Sequence, residues 1–261
     1  MRILFIGDVV GKPGYVAVTD QLAEIRSQRS IDLVIANAEN AADGSGLTCR
    51  QFQGLVAAGV DAITLGDHIY RKLELKPILL ADPRIVKPAN FPAEAPGRPW
   101  TVVTAADGTA VAVVSLLGRV FMRPVDCPFA AADRCLAEIG DAVKVRVFDV
   151  HAEATSDKQS LGRYLDGRVS AVFGTHTHVP TADARLLPNG TAYQTDVGMT
   201  GPYDSVIGRD VERVLKTTTT FEPIHFHVAT DDVRICGAIV EIDPQTGLAT
   251  SIDRFELPIV A

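Results

Sequence analysis

Two histidines separated by one residue, His176 and His178, follow the apolar run Val169 to Phe173, which Gly174 ends. Read as a buried strand and the loop at its carboxyl end, the segment lies where open α/β sheets place ligands. Imidazole is the commonest metal-ligating side chain, so a His-x-His pair on such a loop can aim two donors at one point. Alone, the pair could equally be loop imidazoles bonded to backbone carbonyls. The pattern recurs along the chain, however. Asp8 follows Arg2 to Ile6, Glu39 and Asn40 follow Asp32 to Ala36, Asp67 and His68 follow Asp61 to Leu65, and His151 follows Val143 to Val150. Each places a carboxylate, amide or imidazole where an apolar run stops. Such donors, without thiolates, suit iron, manganese or zinc and argue against a structural zinc site. These eight residues are too many for one ion; two ions bridged by a carboxylate would use them well.

The apolar runs read as strands, and the segments between them supply helices. Helical spacing predicts helices over 15–28, 48–58, 72–81, 129–139 and 158–166. Hairpins are expected across Ala106-Asp107-Gly108 and Pro188-Asn189-Gly190. Residues 195–209 read as a polar, glycine-rich loop, Asp210 starts a short helix, and strands are predicted near 221–230, 234–242 and 250–257. Gly7 to Gly14 reads as a glycine-rich loop after the first strand. It carries neither Gly-x-Gly-x-x-Gly nor a Gly-Lys-Ser/Thr ending, so dinucleotide and Walker readings fail. His225 and His227 lie within a predicted strand, without a glycine turn, and read as structural. No shift in composition marks a boundary, so one domain over 1–261 is expected.

Composition narrows the class. The chain has 261 residues, 47% hydrophobic and 22% charged, enough to bury a substantial core. A formal net charge of −7 argues against a general nucleic-acid binder. It leaves room for an anionic substrate, because bound cations reverse the local field. Cys49, Cys127, Cys135 and Cys236 are scattered and form no Cys-x-x-Cys pair, so no disulfide framework is indicated. The apolar run Ile3 to Ile6 is cut by Gly7-Asp8, and no segment approaches the ~20 apolar residues of a membrane span. A cytoplasmic location is expected.

In order, Gly7-Asp8, Glu39-Asn40, Gly66-Asp67-His68, His151 and Gly174-Thr175-His176-Thr177-His178 resemble the calcineurin-like metallophosphoesterase superfamily. Within it, the stretches Ile6 to Gly14, Asn37 to Asn40, Phe148 to Lys158 and Phe173 to Asp183 are similar to the bacterial YmdB-like phosphodiesterases, and the likeness covers nearly the whole chain. It implies a four-layer α/β/β/α sandwich with a dinuclear site at the sheet rim. It also implies phosphodiester hydrolysis by a metal-bridging hydroxide, on small cyclic nucleotides and most of all 2′,3′-cyclic ones. By the resemblance, Asp8, Glu39, Asn40 and His178 would hold one ion, and Glu39, Asp67, His151 and His176 the other. The ions would be iron or manganese, with zinc as a further option, and His68 would be the acid. Asn40 would fill the place of a histidine that many members carry two residues after the first aspartate. The third motif usually reads Gly-Asn-His; Asp67 lowers the charge of such a centre by one. The expectation is tighter metal retention with weaker attraction of the substrate anion. Lys12, Arg71 and Lys158 lie close to the motifs and could touch phosphate, although solvated surface charges are the expected role. A phosphomonoesterase or protein phosphatase, or a regulatory protein weakened in catalysis, is the alternative. No membrane association is expected, and a homo-oligomer is compatible with the sequence.

Overall fold

The computed structural model describes residues 1–259. The first half of the chain holds β1 (Arg2–Ile6), β2 (Asp8–Val9), α1 (Gly11–Arg29), β3 (Leu33–Asn37), α2 (Cys49–Ala58), β4 (Ala62–Thr64), α3 (Lys76–Ala81), β5 (Ile85–Val86), β6 (Trp100–Thr104) and β7 (Ala110–Leu117). The second half holds α4 (Pro128–Ile139), β8 (Val145–His151), α5 (Thr155–Leu165), β9 (Ala171–Thr175), β10 (Arg185–Leu186), β11 (Ala192–Gln194), β12 (Met199–Pro202), α6 (Val211–Thr220), β13 (Val233–Ile242) and β14 (Ala249–Pro258).

The strands form two mixed sheets in an α/β fold. An eight-stranded sheet runs β2-β12-β13-β1-β3-β4-β5, with β14 along the other edge of β13. A six-stranded sheet runs β10-β11-β9-β8-β7-β6. In the first, β1, β3, β4 and β5 are parallel; in the second, β7, β8, β9 and β11 are parallel. Antiparallel β10 and β6 edge the second sheet, while in the first β13 runs antiparallel to β1, β12 and β14. Strands buried on both faces read as near-continuous apolar runs, as β3 does over Leu33–Asn37, where every residue is buried.

Alternate side chains of those strands serve two cores. Ile3, Phe5, Leu33 and Ile35 share one cluster with Val145, Val147, Ala171 and Phe173 of the other sheet, and the rings of Phe5 and Phe173 lie 4.8 Å apart. Leu4, Ile6, Val34 and Ala36 turn the other way, onto Val18, Leu22 and Ile25 of α1 and Phe52 and Leu55 of α2. The second sheet likewise presents Val114, Leu116, Phe148 and Val172 to α4 and α5. Apolar burial of about 25 cal/mol per Å² holds the sheets together.

Four sequence expectations are revised. The segment 221–230 is no strand: it is mostly exposed, carries Pro223 without an N–H to donate, and touches the sheets' ladder pattern only at the isolated bridge Arg209↔Val228. The loop 195–209 contains β12, which pairs Met199 with Asp8 and so enters the larger sheet. The glycine-rich stretch after β1 becomes helical from Gly11, with Pro13 in the first turn, where its missing N–H is no loss. The helix expected over 72–81 is a 3₁₀ turn at Leu73–Leu75 followed by α3, which has Pro77 in its own first turn.

Candidate metal centre

Parallel strands of both sheets deliver their carboxyl ends to one rim. Asn37 and Thr64 are neighbours in register at the ends of β3 and β4. His151 and Thr175 are neighbours at the ends of β8 and β9. Beyond these ends lie Glu39, Asn40, Asp67, His68, His176 and His178, with Asp8 in β2 just past β1.

Glu39, Asp67, His151 and His176 each offer a ligand atom, all within 4.8 Å of one another. His151 Nε2 is their hub, 2.9 Å from Glu39 Oε1, 3.0 Å from His176 Nδ1 and 3.3 Å from Asp67 Oδ1. Asp8, Asn40 and His178 make a second group beside it. His178 Nε2 lies 3.9 Å from Asp8 Oδ1 and 3.2 Å from the Asn40 side-chain nitrogen Nδ2, and Asp8 Oδ1 is 4.0 Å from His151 Nδ1. His68 borders both groups, with Nδ1 giving its hydrogen to Asn40 Oδ1 at 2.8 Å and Nε2 3.6 Å from Asp67 Oδ2. All eight residues singled out in the sequence are therefore brought together.

The carboxylates are held by one oxygen and left bare at the other. Glu39 Oε2 accepts from the backbone N–H groups of Gly66 at 2.6 Å and His68 at 3.0 Å. Asp8 Oδ2 accepts from the His176 N–H at 3.0 Å. Glu39 Oε1 and Asp8 Oδ1 are buried and accept no hydrogen bond from any described residue. A fully buried anionic oxygen without a partner costs several kcal/mol. A cation between the two groups removes that cost, so the donor set fits metal ions.

The imidazoles are preset for the same task. Thr175 Oγ1 donates to Asp149 Oδ1 at 2.6 Å, so it accepts from His151 Nδ1 at 2.9 Å and leaves Nε2 facing the cluster. His178 Nδ1 donates to the Ile207 carbonyl at 2.9 Å, freeing its Nε2. His176 Nε2 faces Glu153 Oε2 at 3.2 Å, which leaves Nδ1 inward. Such outer partners orient ligands and tune their basicity. Both His176 (φ 96°) and His178 (φ 66°) have left-handed backbone, a strain of about 1–3 kcal/mol each that is stored at functional sites. Asp196 restrains that loop by accepting from Thr177 N and Oγ1, while its Oδ2 also takes the Lys158 ammonium at 2.6 Å. Lys158 is thus neither a surface charge nor a phosphate contact: it is buried, because Leu161 and Leu165 on its helix face pull it inward. Lys12 and Arg71 are exposed.

Gly66, past β4, and Gly174, inside β9, stand where another element approaches closely. A Cβ on Gly66 would stand 2.2 Å from the His151 ring, and one on Gly174 would stand 1.7 Å from the Thr195 carbonyl oxygen.

Charge follows this packing. Burial raises the Asp8 carboxyl, against the pull of His178 and His151. Burial also opposes ionisation of Glu39 and Asp67, yet His151 and its neighbouring imidazoles outweigh it and hold both below their ordinary values. His176 is pushed down to about 4, first by burial and then by the charge of His151. Asp149 is pushed up to about 6 by burial, despite three hydrogen bonds from Asn37, Thr64 and Thr175. The bonds from Asn37 and Thr64 tie the two sheets together beneath the cluster. Asp149, Thr175, Glu153 and Asp196 escaped the sequence reading. The only signal for Asp149 was an acid inside a strand-like run that Lys144 and Arg146 also interrupt.

A cleft of about 310 Å³ opens over the cluster, lined among others by His68, His176, His178 and Arg209. His225 and His227 do not reach it. Their rings pack edge-to-face, centroids 5.4 Å apart, on the wall of a neighbouring cavity.

Known proteins extend these observations. The family described as YmdB-like protein matches residues 4–255. A Bacillus subtilis (strain 168) protein named 2′,3′-cyclic-nucleotide 2′-phosphodiesterase is 48% identical over 254 residues, 97% of this chain and 96% of that protein. A crystal structure of a hypothetical protein from Thermus thermophilus superposes with a TM-score of 0.92 at 44% identity, covering 99% of each chain. The structure of a novel phosphatase from Mycoplasma pneumoniae also gives 0.92, at 33% identity over 99% of this chain and 93% of the other.

Proposed function

The chain belongs to the YmdB-like protein family, and from that premise we propose a metal-dependent phosphodiesterase acting on small cyclic nucleotides, 2′,3′-cyclic ones first. The observation that carries the reading is the pair of bare buried oxygens, Glu39 Oε1 and Asp8 Oδ1, set among imidazoles. The name of the B. subtilis relative supports the substrate class. Glu39, Asp67, His151 and His176 would hold one ion; Asp8, Asn40 and His178 would hold a second, with Glu39 shared. Iron or manganese suits these nitrogen and oxygen donors, and zinc is admitted by them. When bound, the ions supply an activated water at neutral pH and neutralise the phosphoryl oxygens.

The chain's own residues do the rest. His151 and His178 present Nε2 because Thr175 and the Ile207 carbonyl occupy their other nitrogens. Asn40 holds His68 by Nδ1, which leaves Nε2 for proton transfer at the cleft. Protonated, His68 can give that hydrogen to the departing ribose oxygen, a contribution of about 10²–10⁴ in rate. In this reading the fold is a four-layer α/β/β/α sandwich forming one domain over 1–261, the last two residues lying outside the described ones. The apolar cluster between the sheets and the helix-facing cluster on each support it. A cytoplasmic setting accords with scattered free thiols. No helix among the described residues is long and apolar enough to cross a membrane.

The test is hydrolysis by the manganese-loaded protein of 2′,3′-cyclic AMP, bis-p-nitrophenyl phosphate and p-nitrophenyl phosphate. Turnover of the diesters above the monoester is expected; a preference for the monoester would make the protein a phosphomonoesterase instead.

A further inference from the structure

Beside the metal cleft lies a larger cavity, of about 770 Å³. Arg209 lines both, and the 43–45 turn divides them, with Gly44 on the metal side and Asp43 and Ser45 on the other. Arg209 clamps that turn by donating to the carbonyls of Asp43 at 2.9 Å and Gly44 at 2.6 Å. In a chain of net charge −7, this cavity gathers Lys12, Lys72 and Arg209 against one carboxylate among the described residues, that of Asp43. The Lys72–Asp43 contact is loose, at 3.9 Å, and Asp43 is solvent-exposed. The facing wall, from Ile224 to Thr230, carries the rings of His225, Phe226 and His227.

Cations opposite aromatic rings, one wall away from a phosphodiester site, are what a nucleotide's phosphate and base require. The metal cleft sits near the lower end of small-ligand cavities, roughly 300–1,000 Å³, so a mononucleotide fills it. A mononucleotide's one phosphate would lie over the metal ligands and leave Lys12 and Lys72 nothing to neutralise. We propose that the larger cavity is a subsite for the preceding nucleotide of a short RNA whose 3′ end carries a 2′,3′-cyclic phosphate. Its phosphodiester would meet Lys12 and Lys72, and its base the ring wall. The reaction is unchanged: water adds at phosphorus, the P–O2′ bond breaks, O2′ takes the proton, and a 3′-phosphomonoester remains. The inference rests on the phosphodiesterase reading.

The experiment compares kcat/KM of the manganese-loaded full chain for a diadenylate ending in 2′,3′-cyclic phosphate with that for 2′,3′-cyclic AMP, across salt concentrations. Calorimetry of the two 3′-phosphate products on the same protein gives a readout independent of turnover. The dinucleotide should be favoured about fivefold at low salt, the upper range for one exposed ion pair. Its log–log salt slope should be steeper by about 0.7, one phosphate's share. Both differences should collapse in Lys12→Met/Lys72→Met. A ratio near one in the unaltered protein, with 2′,3′-cyclic AMP still hydrolysed, overturns the subsite and leaves the proposed activity standing. Hydrolysis of neither compound overturns both.

Discussion

The carboxylate of Asp149 reaches the imidazole of His151 through the hydroxyl of Thr175, which donates to Asp149 Oδ1 at 2.6 Å and lies 2.9 Å from His151 Nδ1. The same carboxylate takes Asn37 and Thr64 from the other sheet. One buried acid therefore fixes the tautomer of a ligand-type histidine and clips the two sheets together under it.

Thr175→Val keeps the shape of that side chain and removes the bridge. Loss of such an outer partner typically lowers metal affinity by about 10–100-fold. Competition with a chelator should show that drop, while far-UV circular dichroism stays as in the parent. Unchanged affinity would mean that the bridge does not orient His151.

Asp67→Asn tests the effect of the acid among the imidazoles, where Asp67 lies 3.3 Å from His151 and 3.6 Å from His176. Removing one negative charge should loosen the metal and raise turnover at saturating metal, because the centre attracts the phosphodiester anion better. Slower turnover at saturating metal would refute this.

Lys158→Met leaves Asp196 buried without its cation. Breaking a buried pair from one side costs about 3–5 kcal/mol, so Tm should fall by roughly 10 °C in calorimetry. Since Asp196 also accepts from Thr177, between the two loop histidines, metal retention should fall with it.

Burial pushes the Cys135 thiol up to about 12 and the Cys236 thiol up to about 11, from 9.0. Both stay protonated in the folded chain at pH 8, so iodoacetamide should label Cys49 and Cys127 first and the other two only on unfolding. As pH rises beyond 9.0, the unfolded chain sheds these protons before the folded one does. Stability should therefore decline through that window, complete below it and lost above the folded values.

The eight clustered residues were legible because buried parallel strands read as plain apolar runs, and a polar residue just past such a run stands out. Their supports were not. Asp149 sits inside the run of β8, where spacing cannot distinguish a buried acid from a solvated one. Lys158 looks like any helix-surface lysine until its neighbours Leu161 and Leu165 are seen to face the core. The two-residue ladder between β2 and β12 is set by contact alone, since Met199 meets Asp8 across 191 residues of chain. At 221–230 the predicted strand joins the described ladders only through the isolated bridge Arg209↔Val228, and the rings of His225, Phe226 and His227 line a cavity.

The central claim is a two-ion centre that Glu39 joins. Metal content by inductively coupled plasma mass spectrometry, taken with 2′,3′-cyclic AMP turnover for the parent and Glu39→Gln, tests it most directly. Two ions per chain with turnover in the parent, and loss of metal and turnover together in Glu39→Gln, is the result the account predicts. Full metal occupancy and undiminished hydrolysis in Glu39→Gln would contradict it.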